Sequence, residues 1–93
     1  MKATWDPYKA TSNLKKHGVD FADAVIALED MNALTIEDVF HDEQRFKSLG
    51  KDSGSHVLLV VFSYEDQDTV RLISARRADR SEIQQYYQGV NHE

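Results

Sequence analysis

The stretch VLLVVFSY, Val57 to Tyr64, is a nearly continuous apolar run rich in β-branched and aromatic residues. That pattern predicts a central strand covered on both faces. Glu65 to Asp68 supplies a polar turn, and TVRLISAR, Thr69 to Arg76, reads as the next strand. Two weaker strands precede them: Ala33 to Asp38, short and acidic, and Gln44 to Gly50, loosely alternating. Before Asn32 the pattern is helical. Lys2 to Trp5 has room only for an edge strand, and Asp6-Pro7 then reads as an N-cap with proline at the first helical position. That helix runs through Tyr8, Leu14 and Lys15 to Gly18, which supplies the left-handed residue that ends it. Asp20 opens a second helix with Phe21, Ala24, Val25 and Leu28 on one stripe. A third starts at Asp79-Arg80-Ser81-Glu82, with a capping box between Asp79 and Glu82 and an apolar face of Ile83, Tyr86 and Tyr87. The sum is an α+β fold: two N-terminal helices, an antiparallel sheet of about four strands and a C-terminal helix.

A chain of 93 residues, 41% apolar and 29% charged, fits one small folded domain spanning 1–93. The absence of cysteine excludes disulfides, thiolate chemistry and cysteine zinc sites. No apolar run has signal-peptide or membrane-spanning length, so a cytoplasmic protein without a membrane partner is expected.

The net charge of −5 argues against a nucleic-acid partner until its distribution is considered. Between His17 and Gln44 there is no Lys or Arg but there are eight acids: Asp20, Asp23, Glu29, Asp30, Glu37, Asp38, Asp42 and Glu43. Most of the cations gather elsewhere, as Lys9, Lys15 and Lys16, then Arg45, Lys47 and Lys51, then Arg71, Arg76, Arg77 and Arg80. A fold that joins those groups makes a positive site on an acidic body.

The histidines His17, His41, His56 and His92 lack metal-ligand spacing. His41-Asp42-Glu43 reads better as a solvated loop than as a ligand set, so no metal or other cofactor is expected. Neither a glycine-rich phosphate loop nor GxSxG is present. Arginine remains. Strict alternation places Val70, Leu72, Ser74 and Arg76 on one face of their strand and Arg71, Ile73 and Ala75 on the other. Arginines among apolar neighbours either pair with acids such as Asp42 or Glu43 or reach a ligand. One chemistry suits this inventory, the metal-free cleavage of RNA by its own 2′-hydroxyl. The protein must then position the strand, stabilise phosphoryl charge and move protons. Lys16, His17, Arg45, Arg71, Arg76, Glu82 and Tyr86 would suffice if they converge.

WDPYKATSNLKKHGVDF, Trp5 to Phe21, resembles the N-terminal signature of the BrnT family of bacterial toxins, W-D-x-x-K followed by N-x-x-K-H-G-V-x-F. The later half is similar too, with an E-x-R element at Glu43 to Arg45, Gly50, a hydrophobic strand and RLISARRA at Arg71 to Ala78. Glu82 and Tyr86 stand at the family's E-x-x-x-Y-type ending. The resemblance implies a RelE-like fold and a ribonuclease that inhibits translation, for which Lys16, His17, Arg45, Arg71, Arg76, Glu82 and Tyr86 are the catalytic candidates, Arg45 and Arg76 foremost. Lys9, Lys15, Lys47, Arg77 and Arg80 are candidates for holding the RNA. It also implies a BrnA-like ribbon-helix-helix antitoxin, a heterotetrameric complex, and contact with promoter DNA only through that antitoxin. Asp79 replaces the threonine of many relatives, and both residue types cap helices. The acidic balance suits a second reading, a non-catalytic homologue that binds the antitoxin as co-repressor.

Lys15, Lys16 and His17 also complement a helix C-terminus, an effect of about 0.3–1 kcal/mol. Capping and catalytic contact are both open for His17, as capping and base catalysis are for Glu82. Trp5 and Phe21 are expected in the core.

Overall fold

The computed structural model describes residues 1–39 and 42–91. Along the chain run β1 (Lys2–Thr4), α1 (Pro7–His17), α2 (Phe21–Leu28), β2 (Leu34–Asp38), β3 (Arg45–Lys51), β4 (Val57–Tyr64), β5 (Thr69–Arg77) and α3 (Arg80–Asn91). The sheet order is β1-β5-β4-β3-β2. It therefore has five strands where about four were expected. The extra one is the short N-terminal edge, which pairs parallel to β5 at Thr69 to Arg71 and makes the sheet mixed.

Local chemistry sets the helix ends. Asp6 accepts the Tyr8 N–H at 2.8 Å, Pro7 occupies the first turn, and Gly18 closes α1 at φ 70°, its N–H donating to the Leu14 carbonyl at 2.9 Å. Asp20 accepts the Ala22 N–H at the start of α2. In α3 the capping box is reciprocal: the Glu82 N–H donates to Asp79 and the Asp79 N–H donates to Glu82, both at 2.9 Å.

Helices α1 and α2 lie against one sheet face. Phe21, Ala24 and Ala27 are buried there with Leu58, Val60, Phe62, Val70, Leu72 and Ala75. Phe21 is core as expected, whereas Trp5 packs edge-on against it and stays partly exposed. Close approach is obligatory at Gly50, where a Cβ would stand 2.0 Å from the Ala27 carbonyl oxygen. On the opposite face α3 covers only one region, burying Tyr86 with Leu49 and Val57; Ile83 and Tyr87 remain half in solvent. The rest of that second face is open.

One departure from strict alternation decides what the open face carries. Val61 pairs with Ser74, but the next residue, Phe62, pairs with Leu72, leaving Ile73 as an extra residue in β5. This bulge reverses the facing of everything beyond it. Ala75 joins Val70 and Leu72 in the core, while Ser74 and Arg76 turn to the open side. Arg71 and Arg76, which alternation set on opposite faces, therefore share one.

Candidate active site

Residues paired directly across strands point to the same side of a sheet, so register alone lays out the open face. One row runs Leu34, Leu49, Leu59, Arg76 across β2, β3, β4 and β5. The next runs Ile36, Lys47, Val61, Ser74. In the third, Asp38 pairs with Arg45 and Ser63 pairs with Arg71. Continuing the β3–β4 register by one residue sets Arg45 beside Ser63. Arg45 and Arg71 thus flank Ser63 at about 10 Å, two strand spacings, with Lys47 one row away by about 7 Å.

These cations are held differently. Arg71 is exposed and makes no hydrogen bond or ion pair among the described residues. The Arg45 Nε donates to Glu43 at 3.2 Å, an exposed carboxylate, so acids near β3 do pair with an arginine. Lys47 lies 3.7 Å from buried Asp38. Arg76 instead makes a two-pronged bond with Glu82, Nη1 to Oε1 at 2.8 Å and Nη2 to Oε2 at 3.0 Å. The two are partners rather than independent groups, and neither Asp42 nor Glu43 is the acid that Arg76 meets. The guanidinium holds the Glu82 carboxyl below the usual carboxylate range, helped by the Asp79 N–H and opposed by burial. Glu82 in turn raises Arg76 above its ordinary value.

Tyr86 is 2% exposed, and its hydroxyl donates to Asp30. Burial and then Asp30 push its pKa up to about 12. Burial alone would disfavour the Asp30 carboxylate, yet the Tyr86 hydroxyl and the N–H groups of Asn32 and Lys51 outweigh it and lower its pKa. This tie joins the end of α2, the end of β3 and the middle of α3, and so fixes Glu82, one turn earlier, over Arg76. Tyr86 is therefore spatially near the face but chemically engaged beneath it.

Helix α1 reaches the same face around the sheet edge. β1 ends opposite Arg71, and beyond it Asn13 takes the place of a strand. Its amide donates to the Ala75 carbonyl at 2.8 Å and accepts the Ala75 N–H at 3.0 Å, and it also donates to the Val19 carbonyl. Lys9, Lys16 and half-buried His17 consequently line a cleft of about 240 Å³ with Ile73 and Ser74. Ser63, Ile73, Ser74 and Asn13 are contributors that pattern reading missed. The signal was the adjacent apolar pair Leu72-Ile73, which alternation cannot accommodate.

The remaining candidates lie apart. Lys15 is exposed on α1, Arg80 is exposed at the start of α3, and Arg77, paired with Leu58, belongs to the α2 side of the sheet. The His41 ligand candidate lies outside the described residues, as does His92. Among the described residues no three His, Asp or Glu side chains group closely enough to hold a metal ion.

Residues 5–82 match the family model described as the ribonuclease toxin BrnT of type II toxin–antitoxin systems. The chain belongs to the BrnT family. The Brucella abortus ribonuclease toxin BrnT, solved at 1.1 Å, superposes with a TM-score of 0.69 at 29% identity, covering 86% of this chain and 99% of that one. No curated protein matches the chain. Membership makes this a BrnT toxin of a type II system, a ribonuclease family whose members have an antitoxin. The matched span ends at Glu82, so it contains α1, the open-face cations and the Arg76–Glu82 pair, while Tyr86 falls beyond it. No helix in the described part of this BrnT chain is long and apolar enough to cross a membrane.

Proposed function

We propose that the chain, acting as one toxin domain over 1–93, is a metal-independent endoribonuclease that cleaves RNA and inhibits translation in the cytoplasm. The observation that carries this reading is the pairing of Ser63 with Arg71 on an open sheet face, with Lys47 paired to Val61 one row away and Arg45 next to Phe46, which pairs with Phe62. Two guanidinium groups flanking one position suit a phosphodiester, because each can bind two oxygens in its plane. Attack of the 2′-hydroxyl forms a bond to phosphorus and expels the 5′-oxygen, leaving a 2′,3′-cyclic phosphate. Arg45 and Arg71 stabilise the charge that develops on the phosphoryl oxygens. Lys16 and His17, at the Ser74 cleft, are the proton-transfer candidates, since an imidazole can both accept and donate. Arg76 and Glu82 act as a pair that presents one edge of the guanidinium to the strand. Tyr86 positions α3. Lys9, Lys15 and Lys47 hold flanking RNA, while Arg80 and Arg77, which is on the α2 side of the sheet, stand apart from that path.

The partner in this reading is a BrnA-like ribbon-helix-helix antitoxin that covers the cations with an acidic or apolar segment, forms a heterotetramer and alone contacts promoter DNA. The test is cleavage of an unstructured RNA in EDTA, with analysis of the product ends. Cleavage that survives chelation and leaves cyclic phosphate and 5′-hydroxyl ends is expected. Activity lost in EDTA and restored by magnesium or manganese would overturn the mechanism.

One observation favours a second reading, a non-catalytic co-repressor: Arg45 and Arg76 already pair with the chain's own Glu43 and Glu82. Growth arrest on expression without the antitoxin supports the enzyme; unaffected growth supports the co-repressor.

A further inference from the structure

Of the three helices among the described residues, α1 alone holds no Asp or Glu; its sequence PYKATSNLKKH carries Lys9, Lys15, Lys16 and His17 in an acidic chain. In its first turn stands Tyr8, 86% exposed. A lone exposed aromatic would call for no explanation. This one shares a helical stripe with Ser12 and Lys15, and together with Lys16 they line an open depression of about 610 Å³. Ser12 and Lys16 also line the cleft that contains His17 and Ser74. The two hollows therefore share a wall and form one track. Ser74 pairs with Val61, and Val61 with Lys47, so the inner end of the track opens onto the cationic sheet face.

A positive groove interleaved with an exposed ring is the arrangement that binds a single strand of nucleic acid, the cations following phosphates and the ring stacking on a base. Only an unpaired base can present its flat side to such a ring. We propose that this track is a single-stranded RNA subsite. A base more than one nucleotide from the scissile phosphate stacks on Tyr8, while Lys15 and Lys16 hold the phosphates between. The inference rests on the ribonuclease reading for its substrate, and it assigns to Tyr8 a binding role outside the chemistry. Tyr8 is eight residues from Lys16, about 12 Å along the helix. A dinucleotide held at Arg45 and Arg71 cannot also touch it.

The test measures binding of a short, unstructured 2′-O-methyl RNA, which cannot be cleaved, and of the same sequence as a duplex. Tyr8→Ala is expected to weaken single-strand binding roughly tenfold, Tyr8→Trp to restore it and Tyr8→Leu not to, with duplex binding unchanged throughout. Melting temperature should not move, since nothing packs over the ring. On cleavable substrates Tyr8→Ala should raise KM for a long RNA and leave dinucleotide cleavage unaltered. Wild-type affinity in Tyr8→Ala, equal loss on single strand and duplex, or no single-strand binding by the wild type would each overturn the proposal. So would a loss confined to antitoxin binding, which would make the surface a protein contact. Single-strand binding through Tyr8 without any cleavage would keep the subsite and sink the ribonuclease reading. Cleavage of long RNA at unchanged KM in Tyr8→Ala would do the reverse.

Discussion

Arg76 and Glu82 illustrate how far a residue's type constrains its role. Both belong to the inventory of phosphate chemistry, and each satisfies the other in a two-pronged pair at 2.8 and 3.0 Å. Removing Arg76 leaves Glu82, whose side chain is 19% exposed, without its principal partner. Arg76→Ala should therefore cost about 1–3 kcal/mol in urea melts, between the values for exposed and buried pairs, and Arg76→Ala/Glu82→Gln should cost less than that single variant. A double-variant loss equal to the sum of the two single-variant losses would show the two residues to be energetically independent. Tyr86 makes a pH prediction. Its folded pKa of about 12 lies above the ordinary 10, so its stabilisation is complete below pH ~10 and lost as pH rises toward 12. Asp30 and Glu82 are shifted the other way, and their contribution is lost as pH falls through the acid range. The melting temperature should be level near neutrality and decline at both ends. Tyr86→Phe should cost about 1–2 kcal/mol and flatten the alkaline decline; an unchanged alkaline limb would contradict the assignment.

At the scale of elements, both ends of α1, the start of α2, the capping box of α3 and the bounds of β4 were legible in the sequence. Each depends on neighbours within a turn: Asp6 before Pro7, Gly18 at φ 70°, Asp79 three residues from Glu82. What pattern reading missed depends on distant partners. Ile73 becomes a bulge only because β4 pairs with β5 in two registers, and Asn13 closes the β5 edge across 62 residues of sequence. The first reversed the facing of Arg76, and the second brought Lys16 and His17 to the site. Pairing Arg76 with Asp42 or Glu43 failed for a similar reason: α3 returns over β5 and delivers Glu82 first. Two variants probe these elements. Gly50→Ala must push β3 from α2, with a Cβ 2.0 Å from backbone oxygen; a loss of about 3 kcal/mol or more is expected. Asn13→Leu strands the N–H and C=O of Ala75 and should cost about 2–4 kcal/mol. Wild-type thermal stability in either would refute the corresponding packing.

Across the whole molecule, charge is segregated by topology. The acid-rich stretch from Asp20 to Glu43 spans α2, behind the sheet, and β2, its edge strand, while the open face gathers cations from β3 and β5. A net charge of −5 is thus compatible with a local anion site. The central claim is that Arg45 and Arg71 bind the phosphate that is cut. Neither is required by the fold: among the described residues Arg71 has no partner, and the side chain of Arg45 pairs with exposed Glu43 alone. The decisive measurement is RNA cleavage by Arg71→Ala alongside its melting temperature. The rate is expected to fall by on the order of a hundredfold, with partial recovery in Arg71→Lys and a melting temperature within about a degree or two of wild type. Full cleavage by Arg71→Ala, or cleavage lost only in proportion to stability, would contradict it.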